Sequence, residues 1–165
     1  MSEIVGNQFE AVQVGGQSFD PSEQYLTFFV DEEEYGVSIL SVQEIRGWEM
    51  ATVIPNSPAY IRGVINLRGT VVPIVDLRNR FGMPEVEYGP TTVVIVLKVT
   101  TNDRRQKVMG IVVDAVSEVH NFASEEIQPS PEMSDNANTA FIEGLGSVGD
   151  KMVILLDINR MLLAE

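Results

Sequence analysis

The sequence predicts a mainly β protein made of two small, related lobes, and three observations carry that prediction. Short Val- and Ile-rich runs are punctuated by Pro55, Pro58, Gly63, Gly69 and Gly82, the pattern of brief strands joined by tight turns. Little helical periodicity falls between the runs, which favours small barrels over a doubly wound sheet. The layout of hairpin, short strands, hairpin and short strands then occurs twice, although no exact repeat is visible in the letters. At 165 residues the chain is long enough to bury roughly 70% of its unfolded surface, so a self-sufficient core is expected.

Each element follows from its local pattern. Residues 1–20 mix Gly, Gln and Ser without a sustained period and read as a flexible lead-in to a single domain over 21–165. "EQYLTFFVDEEEYGVSI" places aromatic and β-branched residues on either side of an acidic turn, as in a hairpin with a solvated tip. In "SILSVQEIRG" the residues Ile39, Val42 and Ile45 recur at helical spacing, with Ser38 as N-cap and Gly47 as terminator, so one short helix is expected there. "TTVVIVLKVTTNDRRQKVMGIVVDAVSEVHNF" reads as two strands around a polar tip at Asn102 to Lys107, followed by a loop over about 124–139. "FIEGLGSVGDKMVILLDINRMLLAE" closes as a hairpin and a short helix that Asp157 can cap.

Composition excludes several classes of partner. A formal net charge of −13 argues against nucleic acid and against an anionic membrane, since both require a basic face. Glu3 through Glu44 include nine acids before the first base, Arg46, whereas Arg62, Arg68, Arg78 and Arg80 cluster centrally, so a polarised surface is expected. The absence of cysteine removes disulfides, thiolate metal sites and cysteine nucleophiles. No apolar run approaches the roughly 20 residues of a membrane span, and the expectation is a soluble cytoplasmic protein with no membrane insertion.

The chemical motifs each have a better structural reading. "GLGSVG" at 144–149 matches a dinucleotide fingerprint, but "MVILL" follows it as a strand where the phosphate loop must open a helix. It reads as a glycine-rich hairpin turn. Four adjacent carboxylates in "DEEE" at 31–34 cannot converge on one cation, as an EF-hand loop with alternate ligands does. His120, the sole histidine, shares a strand face with Glu118 but has no nucleophile-elbow sequence to serve. Asp76, Asp114 and Asp157 each end an apolar run, where a carboxylate commonly satisfies a turn or a cap. No catalytic residue, metal or cofactor is expected, and the alternative function is a small-ligand-binding β-barrel, which ligand-dependent thermal stabilisation would reveal.

"YIRGVINLRGTVVPIVDLRNRFG" remains, with apolar strand residues, paired glycines and four arginines in one stretch. It is either a buried strand pair with a solubilising rim or a docking surface, since the planar fork of Arg suits interfaces. Sequence physics leaves the two even.

This stretch resembles the CheW family of bacterial chemotaxis adaptors, whose pattern F-I-x-G-V-x-N-L-R-G-x-x-V-P-I-V-D-L-R stands here as "YIRGVINLRGTVVPIVDLR". "DEEEYGVSILSVQEIRGW", "TVVIVL", "GIVVDAVSEV" and "IEGLGSVGDKMVILLDINRML" agree in order, so the resemblance covers about residues 24–163. It implies two five-stranded SH3-like barrels on a shared hydrophobic core, with short helices including one at the C-terminus. It also implies a non-catalytic adaptor between the cytoplasmic tip of methyl-accepting chemoreceptors and the CheW-like regulatory domain of the histidine kinase CheA, associated with membrane-bound receptor clusters. Carried over residue by residue, Val42, Glu44 and Arg68 fall at the partner-binding surface, with Gly47 beside Glu44. Gly63 and Gly69 support the presentation of Arg68, and Gly110, Val119 and Gly144 support the second barrel. Whether Glu44 and Arg68 pair with each other or contact partners is left open. The tip "TTNDRRQKVMG" is longer and more charged than the resemblance leads one to expect.

Overall fold

The computed structural model describes residues 13–14, 17–18, 20–49, 51–57, 60–129 and 141–163. Most of the expected lead-in, Pro58 and the loop from 130 onward lie outside the described residues. A two-residue ladder, β1 (Gln13–Val14) with β2 (Gln17–Ser18), precedes the domain. Alternating apolar residues then build ten strands in two five-stranded sheets.

One lobe is inserted into the other. The flanking lobe holds β3 (Gln24–Val30), β4 (Glu33–Ser38), β10 (Ala115–Asn121), β11 (Ile142–Val148) and β12 (Lys151–Leu156), in the order β10-β3-β4-β12-β11. The inserted lobe holds β5 (Val42–Gly47), β6 (Ile61–Leu67), β7 (Thr70–Asp76), β8 (Val93–Thr100) and β9 (Gln106–Val113), ordered β5-β8-β9-β7-β6. The expected mainly β pair of five-stranded barrels is therefore present. Gly110 lies in the same lobe as Glu44 and Arg68, however, and only Val119 and Gly144 belong to the other. The "VSEVHN" segment supplies a third strand, β10, where two had been expected, because Asp114 breaks the run and the chain crosses between sheets there.

The two lobes are copies of one design. In each, one parallel pairing (β12 with β4, β9 with β7) sits among antiparallel ones. Each lobe's last hairpin carries a bulge at the same place, and a short helix follows: α1 (Leu77–Arg80) or α2 (Ile158–Leu163). Ile61, Gly63, Val72 and Asp76 recur as Ile142, Gly144, Val153 and Asp157, each 81 positions on. Asp76 caps α1 through the N–H groups of Arg78 and Asn79, and Asp157 accepts from the Arg160 N–H at 3.2 Å. The expected terminal cap is thus formed. Each sheet closes through a single bridge, Thr52 with Val64 and Gln128 with Leu145.

Glycine supplies the clearance these closures need. A Cβ on Gly63 would stand 2.4 Å from the Thr52 carbonyl oxygen, and one on Gly144 would stand 2.9 Å from that of Gln128. "GLGSVG" is consequently strand through Val148, not a turn; only Gly149, at φ 59°, occupies the turn. Gly110 lies flush between strands, with Ile74 Cδ1 2.7 Å and Val94 Cγ1 2.8 Å from its missing Cβ.

A shared core fuses the lobes. Leu26, Phe28 and Val37 from one pack with Leu77, Ile95 and Ile111 from the other in a single buried cluster. Each lobe also has its own smaller cluster, around Ile74 and Val94 or around Phe122 and Val153. At roughly 1.5–3 kcal/mol per fully buried large apolar side chain, these clusters dominate the energetics.

Candidate protein-docking site

Ser38 to Gly47 departs from the expected helix. Ser38 does cap, accepting from the Leu40 N–H at 3.3 Å, but the turn it opens is one 3-10 turn over Ile39–Ser41, and β5 starts at Val42. A bulge between Val42 and Glu44 then breaks the alternation, so that Val42, Glu44 and Ile45 all face inward. That spacing imitates a helix. Val42, expected at the partner-binding surface, is 4% exposed in the shared core and so shapes that surface from beneath.

Glu44 is a buried carboxylate at the edge of the inserted lobe, on β5, and β6 is the opposite edge. Arg68 lies in the two-residue turn between β6 and β7 and reaches Glu44 Oε1 through Nη2 at 2.5 Å. The sheet curls until its two edges meet, and this pair spans the seam. Of the two roles the sequence left open, pairing is present: Glu44 and Arg68 bond to each other. The second oxygen of Glu44 faces Arg46 Nη1 at 3.7 Å, and Arg46 Nη2 bonds Glu49 at 3.3 Å. A buried carboxylate needs such compensation, because unpaired burial of a charge costs several kcal/mol.

Arg68 is braced yet presented. Its φ of 50° is left-handed, followed by Gly69 at 87°, and Asn66 Oδ1 accepts from the Gly69 N–H at 2.8 Å to hold the turn. A non-glycine residue in that region carries roughly 1–2 kcal/mol of strain. The duplicate position in the flanking lobe is Gly149. Although its guanidinium touches Glu44, the Arg68 side chain remains 67% exposed, and Val71 and Leu40 on adjoining segments are exposed apolar residues. Gly47 ends β5 opposite Val93, and a Cβ there meets nothing within 4 Å, so packing does not demand glycine. Val119 is exposed on the edge strand β10, where Glu118 Oε1 lies 3.2 Å from His120 Nε2.

The other arginines of the central stretch are committed to structure. Arg78 makes a two-pronged bond to Asp114 (Nε to Oδ1 3.2 Å, Nη2 to Oδ2 2.8 Å) and lies 3.5 Å from Asp31. It clamps α1 onto the crossover between lobes, and the Asp114 hydrogen bond raises its already high pKa further. Arg80 stacks over Phe141 and Tyr60, and Arg62 over Tyr88. Tyr88 donates to Asp76 and packs edge-on against Trp48 at 4.5 Å; burial, then Asp76, pushes its phenol far above the ordinary range. Asp76, Asp114 and Asp157 therefore all perform cap or clamp duties, as their positions at strand ends suggested. Sequence reasoning missed the clamp, because Arg78, Asp31 and Asp114 come from three distant segments.

An apolar cavity of about 130 Å³ lies at the lobe boundary, lined by Tyr35, Phe81, Met83, Ile142, Ile154 and Leu156. Small-molecule sites usually enclose roughly 300–1,000 Å³; this space, and one of about 260 Å³ lined by Glu32, Glu33 and Lys151, both lie below that range. Among the described residues no helix is long and apolar enough to cross a membrane.

Fold and site together define a class: a two-barrel interaction domain that presents a braced arginine at the seam of one barrel. The model of the CheW-like domain matches residues 24–165, and the chain belongs to that family. It is 47% identical to the chemotaxis protein CheW of Klebsiella aerogenes over 87% of this chain and 83% of that one. Identity to the chemotaxis protein CheW of Bacillus subtilis is 32%, over 85% and 86% of the two chains. Among solved structures, the scaffolding protein TtCheW of Thermoanaerobacter tengcongensis superposes with a TM-score of 0.76 at 30% identity, covering 91% of this chain and 92% of that one.

Proposed function

We propose that this protein is a non-catalytic chemotaxis adaptor that couples the cytoplasmic tip of transmembrane chemoreceptors to the regulatory domain of the histidine kinase CheA, working in the cytoplasm at receptor clusters. The observation that carries the reading is the Glu44–Arg68 pair: a buried carboxylate holds an exposed arginine in a strained turn, in only one of two duplicated lobes. Strain retained where a glycine serves equally well in the sister lobe points to a purpose outside the fold. Family membership and the names of the relatives supply the chemotaxis setting, and the receptor and the kinase are the partners that the resemblance to CheW implies. The capping and clamping duties of the strand-end aspartates leave no spare acid–base pair among them, which supports binding over catalysis.

Coupling demands more than tethering. The adaptor must bind two receptor states with different affinity, since a ligand indifferent to state shifts no equilibrium. Each contact can be modest, on the order of 1,000 Å² or less, because assembly in an array multiplies weak contacts. The test is a titration into receptor-containing membranes plus CheA, following kinase autophosphorylation with and without attractant. Activation that requires this protein, falls with attractant and is lost with Arg68→Glu is expected. Activation undiminished by Arg68→Glu would remove the docking assignment, and no activation with competent partners would remove the function.

A further inference from the structure

The equivalent hairpins of the two lobes carry opposite charge. In the strand orders β10-β3-β4-β12-β11 and β5-β8-β9-β7-β6, β3 and β4 stand where β8 and β9 stand. Around the β8–β9 tip, residues 98–107 hold Lys98, Arg104, Arg105 and Lys107, four of the chain's eleven bases, against one acid, Asp103. At the β3–β4 tip, Asp31, Glu32 and Glu33 are exposed and Glu34 follows them, with no base. Both tips are built in advance. Arg104 and Asp31 are each held left-handed, at φ 65° and 60°. The Arg105 N–H donates to Thr101 Oγ1 at 3.1 Å and the Arg104 N–H to the Thr101 carbonyl at 2.9 Å, while the Asp31 N–H donates to Asp114 Oδ2 at 2.7 Å.

The acidic tip has a receiving shape as well as a charge. A hollow of about 260 Å³ beside it is lined by Phe29, Glu32, Glu33, Glu34, Lys151 and Met152. The Glu34 side chain is only 10% exposed, its Oε2 accepts no hydrogen bond among the described residues, and His120 Nε2 stands off at 3.8 Å. Three carboxylates around an aromatic ring suit a guanidinium, which takes them by two-pronged bonding and the ring by stacking. Lys151 offsets one of the three charges and leaves the hollow net negative. Arg104, exposed at the basic tip, has no ion-pair partner among the described residues, and no ion pair among them joins the two tips within one chain.

We propose that the basic tip of one copy of this protein docks in the acidic hollow of a second copy, with Arg104 entering among Glu32, Glu33 and Glu34. The occupant is a second copy because the same chain carries both halves of the contact, each fixed by its own turn, while Arg104 lacks an ion pair and Glu34 Oε2 a hydrogen bond. The net charge of −13 does not forbid this. At about 100 mM salt the screening length is about 10 Å, so the far faces of two molecules scarcely repel while facing tips still attract. Lobes alike in fold thereby become the two unlike ends of one interface.

The test is sedimentation of the full chain at concentrations up to about 1 mM. The parent should self-associate at about 100 mM salt and much less at about 1 M, where screening shortens to about 3 Å. Arg104→Asn, Arg105→Gln and Lys107→Gln together neutralise the tip; Asn accepts the left-handed backbone, and the bonds to Thr101 use only the backbone of residues 104 and 105. Glu32→Gln, Glu33→Gln and Glu34→Gln together neutralise the hollow. Each triple variant alone should associate at least about tenfold more weakly than the parent. Their equimolar mixture should recover pairs, since one supplies an intact tip and the other an intact hollow, and that recovery also shows that both remain folded. Lys151→Gln should tighten association about 2–5-fold by removing the one cation that lines the hollow. A parent that stays monomeric at every salt, a triple variant that associates as the parent does, or a mixture that recovers nothing overturns the proposal.

Discussion

Gly63 and Gly144 do the same work in the two lobes: each follows a bulge and lies against the backbone carbonyl that closes its sheet, that of Thr52 or of Gln128. The Gly63 site is the more demanding, since φ is also 150°. Gly63→Ala is expected to cost about 2–4 kcal/mol in denaturant unfolding, combining strain with a forced backbone shift. Gly47→Ala, with open space around its Cβ position, should stay within about 0.5 kcal/mol. Equal effects at the two sites would mean that the closures tolerate a side chain.

How much of this was legible depended on whether the signal was local. Hairpins and caps were readable because β-branched runs, turn residues and Asp157 announce themselves within a few positions. β5 was misread because the bulge at Val42 to Glu44 buries residues at spacing that mimics a helix. The two related lobes were legible from their layout but the register of the duplication was not, because identity survives at only a few positions, Gly63 and Asp76 among them, while the strands between keep mainly apolar character. The Glu44–Arg68 pair was beyond sequence physics, since it forms only when β5 and β6, the two ends of the sheet order, meet around the barrel.

Arg68 trades stability for presentation. Arg68→Gly relieves about 1–2 kcal/mol of left-handed strain but strands the buried Glu44, with only Arg46 at 3.7 Å left to compensate it, so alone it should destabilise by about 1–3 kcal/mol. Adding Glu44→Gln removes the stranded charge, and the double variant should unfold at or above the parent denaturant midpoint. Kinase-domain binding should nevertheless fall at least about tenfold, in keeping with the loss of an anchor arginine. A double variant that binds normally would show that the pair serves only to close the barrel.

Tyr25 predicts the alkaline edge of stability. Burial first, then the charge of Glu143 and the hydrogen bond to it, push the phenol up to about 12 from 10.0. The unfolded chain therefore loses this proton first, binds fewer protons than the native state, and gains from rising pH. Stability from this group is complete below pH 10 and is lost as pH climbs towards about 12. Tyr25→Phe should flatten the fall in unfolding free energy across that window. An unchanged slope would show that the phenol titrates normally in the folded protein.

The lobes grip each other reciprocally but unequally. From α1, Arg78 reaches Asp114 and Asp31, which lies at the β3–β4 tip. From α2, the equivalent residue Asn159 accepts from the N–H of Thr100, at the end of β8 next to the β8–β9 tip, at 3.0 Å. Arg78 is 12% exposed, so Arg78→Ala leaves two carboxylates facing each other and should cost about 2–3 kcal/mol. Asn159→Ala removes one ordinary bond and should cost about 1 kcal/mol. Cooperativity is the sharper readout. Trp48 is the only tryptophan and reports on the inserted lobe, while far-ultraviolet dichroism averages both. In the parent the two transitions should coincide. In the Arg78→Ala/Asn159→Ala variant they should separate, with each lobe opening at its own denaturant concentration. Coincident transitions in the double variant would assign the coupling to the shared core of Phe28, Leu77 and Ile95 alone, and the reciprocal grip would then set only the angle between lobes.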